Sequence, residues 1–177
     1  MKYLVLIVAA FLMTANASAQ TAQPYTGLQD RPIKALSDQQ IADLRAGRGM
    51  GLALSAELNG YPGPSHVLEL GDRLNLSAAQ REQAQKLFAS MKSEAVPLGE
   101  TLIAREQQLD RLFASRAVTL QNLAAATQAI GQAQAALRAT HLKYHLSTAE
   151  ILNADQMRQY AQLRGYGGPA PHQHRQH

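Results

Sequence analysis

The sequence predicts an all-α protein: a long kinked antiparallel helical hairpin, with short helices before it and one short helix after it. Apolar residues recur at alternating steps of three and four through residues 84–112 and 123–151, as on one face of a helix. Each segment follows a residue that can cap a helix, Ser77 and Thr119, and a short turn separates the two. Two long helices joined in this way form an antiparallel hairpin.

Before the hairpin, the sequence predicts a lead and short helices. Residues 20–33 are polar and show no helical period, which is typical of an extended or disordered lead. Residues 34–64 are expected to form short helices with a Gly- and Pro-rich joint, the first capped by Ser37 and ended by Gly47. A further short helix is expected around Leu52, Leu54 and Leu58. The helical domain proper is predicted over residues 65–166.

The first long helix has a narrow apolar seam. Pro97 lies inside it, and because proline removes a backbone hydrogen bond and clashes with the preceding turn, we expect a kink there rather than an end. The seam residues of the first helix are Ala84, Phe88, Met91, Ala95, Leu98, Leu102, Leu109 and Leu112, with Arg105 as the one interruption. Those of the return helix are Leu123, Thr127, Ile130, Gln134, Leu137, His141, Tyr144, Thr148 and Ile151.

Such seams bury little area, so we expect the shorter helices or a second protomer to complete the packing. With only 5% aromatic residues and 0 Trp, the chain suits thin helical layers better than a thick core. We therefore predict a homodimer.

Both ends carry segments outside the helical domain. A basic start, an apolar run over residues 3–13 and small residues at 17–19 predict a signal peptide over residues 1–19, cleaved after Ala19 for export to the periplasm. The apolar run is shorter than the roughly 20 residues that cross a bilayer, so the mature chain is predicted not to span a membrane. Residues 167–177 are predicted to be a disordered His-rich tail.

One pentapeptide pattern recurs at three predicted helix starts: LSDQQ at residues 36–40, LSAAQ at 76–80 and LNADQ at 152–156. In each copy a small polar residue that can cap a helix precedes a Gln by three positions, and that Gln can reach back to the backbone N–H of the cap. By itself the pattern indicates helix starts. The motif residues of the second and third copies are Leu76, Ser77, Gln80, Leu152, Asn153 and Gln156.

The paired copies, behind an export signal, make the chain resemble the periplasmic LTxxQ-motif family. That family includes Spy/CpxP-like refolding chaperones and related heavy-metal-resistance and metal-sensor proteins. Ser77 and Asn153 stand where the family motif has Thr, and residues 47–64 have no counterpart in the motif. The resemblance implies a curved, all-helical antiparallel dimer that acts in envelope stress as an ATP-independent holdase.

The residues offer a physical basis for holding unfolded envelope proteins. A long, thinly apolar helical surface that carries scattered cations can bind such chains weakly, without a nucleotide or any other required cofactor. The competing interpretation is that the charges only solvate a helix face. The predicted client-binding residues are Arg73, Arg81, Lys86, Lys92, Arg105, Arg111 and Arg116.

The histidines predict an alternative function, a periplasmic divalent-metal sensor or resistance protein. His141 and His145 stand four apart on a predicted helix, so their rings can share one Zn, Cu or Ni ion. The tail histidines His172, His174 and His177 add a second signal of the same kind. The competing interpretation makes His141 a hydrogen-bonded seam residue and His145 a solvated neighbour.

The remaining patterns argue against other classes of protein. The formal charge is +4, or +3 without Lys2, and the basic residues form no run or cluster, so no nucleic-acid partner is expected. The chain has 0 Cys and no nucleophile-elbow or metalloprotease pattern, so we do not expect an enzyme. His66 and Glu69 lie one turn apart and predict a surface pair.

A third function that stays open is an adaptor for the periplasmic domain of a membrane sensor kinase.

Overall fold

The computed structural model describes residues 23–166. The predicted signal peptide and the predicted His-rich tail lie outside the described residues. What is described is helical and confirms the predicted all-α class. A 3-10 helix at Leu28–Asp30 precedes six α-helices: α1 (Asp38–Arg45), α2 (Leu54–Glu57), α3 (Pro64–Glu69), α4 (Ala78–Ala114), α5 (Leu120–Glu150) and α6 (Ala154–Leu163). Between residues 23 and 166, no helix combines the length and apolar character needed to cross a bilayer.

The long helices α4 and α5 form the predicted hairpin. The start of α4 lies against the end of α5, where Gln80 Nε2 donates to Ile151 O over 2.8 Å, so the two helices are antiparallel. Thr119 caps α5 as predicted, because its hydroxyl accepts a hydrogen bond from Asn122 N. The helix α4 runs on through Pro97 without ending, as predicted. The bend at this proline stays a prediction.

Short N-terminal segments complete the packing of the hairpin. One apolar cluster joins them to the middle of α4 and α5, and a second cluster joins the region around α3 to α6. The first consists of Ile33, Leu36, Leu44, Ala95, Leu102, Ile103, Ile130, Ala133 and Leu137. The second consists of Val67, Leu74, Ala84, Leu152 and Tyr160. The shorter helices therefore cover the thin seams within one chain.

The approach of α1 to α4 is unusually close. A Cβ atom added at Gly99 would lie 2.5 Å from the backbone oxygen of Leu44, far inside normal contact distance. Glycine at this position lets the C-terminal turn of α1 rest directly on the backbone of α4.

Two expectations about the fold differ from the structure. The described part of the predicted extended or disordered lead, residues 23–33, forms turns, a 3-10 helix and a bend, and at its end the side chain of Ile33 is buried in the first cluster. In α5, Thr127 and Gln134 are exposed, and Ala133 is buried instead of Gln134. A straight α-helix drifts by about 20° per heptad from a seam drawn at steps of three and four, so the buried face moves around the helix.

Candidate functional site

The two motif copies fold as complete capping boxes. Ser77 N donates to Gln80 Oε1 over 3.0 Å, and Gln80 N donates to Ser77 Oγ over 3.1 Å. Asn153 and Gln156 repeat the arrangement at α6, at 3.0 and 2.9 Å. The copy at residues 36–40 forms the same box at α1. The predicted helix starts are thus confirmed at all three positions.

The structure brings the two motif glutamines into direct contact. Gln80 Nε2 donates to Gln156 Oε1 over 2.8 Å, and Gln156 Nε2 donates to Gln80 Oε1 over 3.0 Å. The second donor of each amide meets a backbone oxygen, Ile151 O for Gln80 and Leu74 O for Gln156. Each amide therefore caps its own helix and joins the other motif. The sequence indicated these residues as helix caps but gave no sign of their pairing.

A cavity of about 580 Å³ lies beside the hairpin. The segment over residues 47–64, which has no counterpart in the motif, supplies one wall, and α3, α4, α5 and the residues that follow α6 contribute most of the rest. Both helix histidines line it. The Gly- and Pro-rich segment predicted as a joint therefore forms part of the cavity that both histidines line.

The surroundings of the two helix histidines differ from the competing interpretation, in which His141 is hydrogen-bonded and His145 is solvated. His141 is only 2% exposed, and its Nε2 is buried with no hydrogen-bond partner among the described residues. His145, expected to be solvated, is also buried, and its Nδ1 donates to Tyr61 O over 2.7 Å. Burial, helped by the neighbouring His145, lowers the pKa of His141. His141 is therefore neutral at pH 7.

A buried carboxylate that the sequence did not indicate, Glu57, also lines the cavity. Glu57 is 5% exposed, and its Oε1 accepts from the hydroxyls of Tyr160 at 2.5 Å and Tyr166 at 3.3 Å. Its Oε2 accepts from Gly63 N over 3.3 Å. Arg164 Nε lies 3.3 Å from Oε1, at ion-pair distance but outside hydrogen-bond geometry. Glu57 thus ties α2 to the C-terminal helix.

The metal-ligand prediction has two candidates inside the described chain. No group of three or more His, Cys, Asp or Glu side chains in residues 23–166 could hold a metal ion. His145 uses Nδ1 for Tyr61 O, so only its Nε2 is available, and a tetrahedral site needs three or four ligands. His172, His174 and His177 lie beyond the described part of the chain.

The predicted client-binding cations do not form one patch. They are spread from the turn before α4 to the turn after it, and a 37-residue helix is about 55 Å long. Arg81 binds Asp72 and Lys86 binds Glu82, at 2.7 and 2.6 Å. The Nζ of Lys92 lies 5.8 Å from the centroid of the Phe88 ring. The remaining four, Arg73, Arg105, Arg111 and Arg116, are exposed.

Comparison with known proteins gave no match to a family model, to a curated protein or to a solved structure.

Proposed function

We propose that this protein is an exported, ATP-independent holdase of the cell envelope, of the Spy/CpxP-like kind. The observation that carries the proposal is a pair of large apolar side chains left exposed at the tip of the hairpin. Phe113, in the last turn of α4, is 55% exposed, and Leu120, the first residue of α5, is 88% exposed. Exposed apolar groups of this kind favour contact with the apolar segments of an unfolded chain.

Two cations accompany the apolar tip. Arg111 lies in the last turn of α4 and Arg116 in the turn between the long helices, and neither forms an ion pair with any described residue. Exposed charges raise the rate of encounter with acidic segments more than they raise affinity. Apolar contact plus charge attraction therefore supports binding that is fast and weak, as a holdase requires.

The test is suppression of aggregation without nucleotide. A denatured client enzyme is diluted into buffer with residues 20–177, which keep every described element, and light scattering is recorded. The double variant Phe113→Ser/Leu120→Ser should need several times more protein for half-suppression. The control is Tyr25→Ser/Leu146→Ser, which removes two exposed apolar side chains away from the tip.

Two results would remove the proposal or its location. If the unaltered protein does not suppress scattering at stoichiometric amounts, the holdase function is wrong. If both double variants lose activity equally, clients do not bind preferentially at the tip. The proposal includes a homodimer, which sedimentation equilibrium of the same protein tests directly.

A divalent-metal sensor or resistance protein is the second proposed function. The observation that favours it is that His141, His145 and Tyr166 line one cavity, and Tyr166 directly precedes the segment that contains the three tail histidines. Calorimetric titration with Zn, Cu and Ni should compare residues 20–177 with residues 20–166. A saturable site that needs both helix histidines supports this function, and the absence of any saturable site removes it.

A further inference from the structure

We propose that the cavity beside the hairpin binds a small amphipathic carboxylate, an apolar chain or ring that ends in a single carboxylate group. The proposal goes beyond the holdase function, because it concerns a small-molecule site in the cavity and not the exposed tip of the hairpin. The volume of about 580 Å³ lies within the roughly 300–1,000 Å³ that is typical of ligand pockets.

The apolar part of the wall fits the body of such a ligand. Met50 and Leu54 line the cavity from the segment over residues 47–64, and Phe88 and Met91 line it from α4. Met50 and Leu54 remain partly exposed although they face a cavity, so a ligand would remove their surface from water. Two of the four are methionines, whose unbranched side chains adapt to ligands of different shape.

The charged part of the wall favours one negative group. Lys92 lines the cavity and forms no ion pair with any described residue, and its Nζ lies beside the ring of Phe88. The other charged side chains of the wall have partners: Arg48 with Asp43, Arg164 with Glu57, and Glu69 with His66. Lys92 is therefore the one charged side chain of the wall that has neither an ion-pair nor a hydrogen-bond partner among the described residues, and it lies next to the apolar surface.

His141 supplies the second polar contact. Its side chain lines the cavity, and the ring edge with Nδ1 faces Gly49, another residue of the wall, where a Cβ would lie 3.6 Å from Nδ1. Because the ring is neutral, its N–H can donate to a carboxylate oxygen without bringing a second charge. One ammonium and one ring N–H match a carboxylate. A phosphate would require several more donors.

Methionine methyl signals provide the measurement. Residues 20–177 contain three methionines: Met50 and Met91 line the cavity, and Met157 packs in the second apolar cluster. Protein labelled with ¹³C at the methionine methyl groups is titrated with decanoate below its micelle concentration, and in parallel with decylamine. With decanoate, the signals of Met50 and Met91 should shift and saturate while Met157 stays in place. Decylamine should produce no saturating shift.

Paired variants assign the charge. Lys92→Gln should weaken decanoate binding about tenfold, which corresponds to about 1.4 kcal/mol. Lys86→Gln, on the same helix but outside the wall, should leave the affinity unchanged. His141→Phe keeps an aromatic ring and should also weaken binding, and circular dichroism checks that each variant is folded.

Four results would overturn the inference: no saturable shift, an equal shift of Met157, equal binding of decylamine, or equal affinities of the Lys92 and Lys86 variants. None of these depends on whether the protein suppresses aggregation. A failure of this inference is therefore distinguishable from a failure of the holdase proposal.

Discussion

Gln80 and Gln156 stand 76 positions apart and exchange two side-chain hydrogen bonds, while each also caps the helix that it begins. The four hydrogen-bonding sites of each amide are thereby occupied by protein atoms. Because Leu74 O and Ile151 O accept the remaining donors, the pair also fixes the chain just before each motif. The two motif copies in the sequence thus form the two halves of one contact, which we call the glutamine joint.

Gln156→Ala should lower the free energy of unfolding by about 3 kcal/mol, since it leaves Gln80 and Leu74 O without their partner in a buried place. The control is Gln40→Ala, which removes the same kind of capping box where no second glutamine is bound, and should cost about 1 kcal/mol. Urea unfolding measures both. The double variant Gln80→Ala/Gln156→Ala should cost less than the sum of the single variants. Equal losses for Gln156→Ala and Gln40→Ala would contradict a role for the pairing.

Tyr160→Phe should destabilise the protein by about 1–2 kcal/mol at neutral pH, because it removes the hydroxyl that donates a hydrogen bond to Glu57. Burial, and then Glu57, raise the pKa of Tyr160 well above its usual value. The folded state therefore keeps this phenol protonated above about pH 10, where the unfolded chain releases the proton, so stability falls as the pH rises.

Thermal unfolding between pH 9 and 11 measures this fall of stability with rising pH. The Phe variant should lose less stability over this range than the unaltered protein does. Tyr144, whose pKa is also raised by burial, and Lys143, whose pKa is raised by Glu94, contribute to the remaining loss. Tyr25→Phe is the matched control, because Tyr25 is exposed and should leave the slope as it was. An unchanged slope in Tyr160→Phe would show that its hydroxyl titrates normally.

His141→Phe should flatten the loss of stability on the acid side. The pKa of His141 is lowered in the folded state, so the unfolded chain takes up a proton first as the pH falls below about 6.5. The contribution of the neutral ring is therefore present above that pH and lost below it. Melting temperatures measured from pH 7 to pH 5 test this, with His66→Gln, at a partly exposed histidine, as the comparison. Parallel curves for His141→Phe and the unaltered protein would contradict burial of the neutral ring.

Two glycines on the long helices should respond to alanine in opposite directions. Gly99→Ala would bring a methyl group against the backbone of Leu44 and should cost about 2–3 kcal/mol, because backbone atoms of α1 must move. At Gly131 of α5 the added methyl meets no atom within 4 Å, so the same change should stabilise by about 0.5–1 kcal/mol. Denaturant midpoints of both variants decide this. Changes of the same sign would contradict the close approach of α1.

Local patterns made much of the fold predictable. The caps at Ser37, Ser77, Thr119 and Asn153 depend on hydrogen bonds between residues three positions apart, so the sequence alone contains the whole interaction. The same holds for the two long helices, whose apolar spacing is a property of each segment by itself.

The site depends on contacts that no local pattern contains. Glu57 gives no signal in its own neighbourhood, because its hydroxyl partners lie 103 and 109 positions away at Tyr160 and Tyr166. His141 and His145 were identified by their spacing, but their surroundings come from the segment over residues 47–64. The glycines and prolines of this segment indicate a flexible joint. The segment becomes a wall of the cavity only because it packs against α5.

The two ends of the hairpin also differ in how folding can reach them. The turn after α4 joins residues that are close in the chain, so closing it costs little entropy, whereas the glutamine joint closes a loop of more than seventy residues. Once α4 and α5 have packed against each other from the turn onward, the two motifs are already near each other. The glutamine joint should therefore form late and open early, and α6 should detach and exchange its amide protons before the hairpin does.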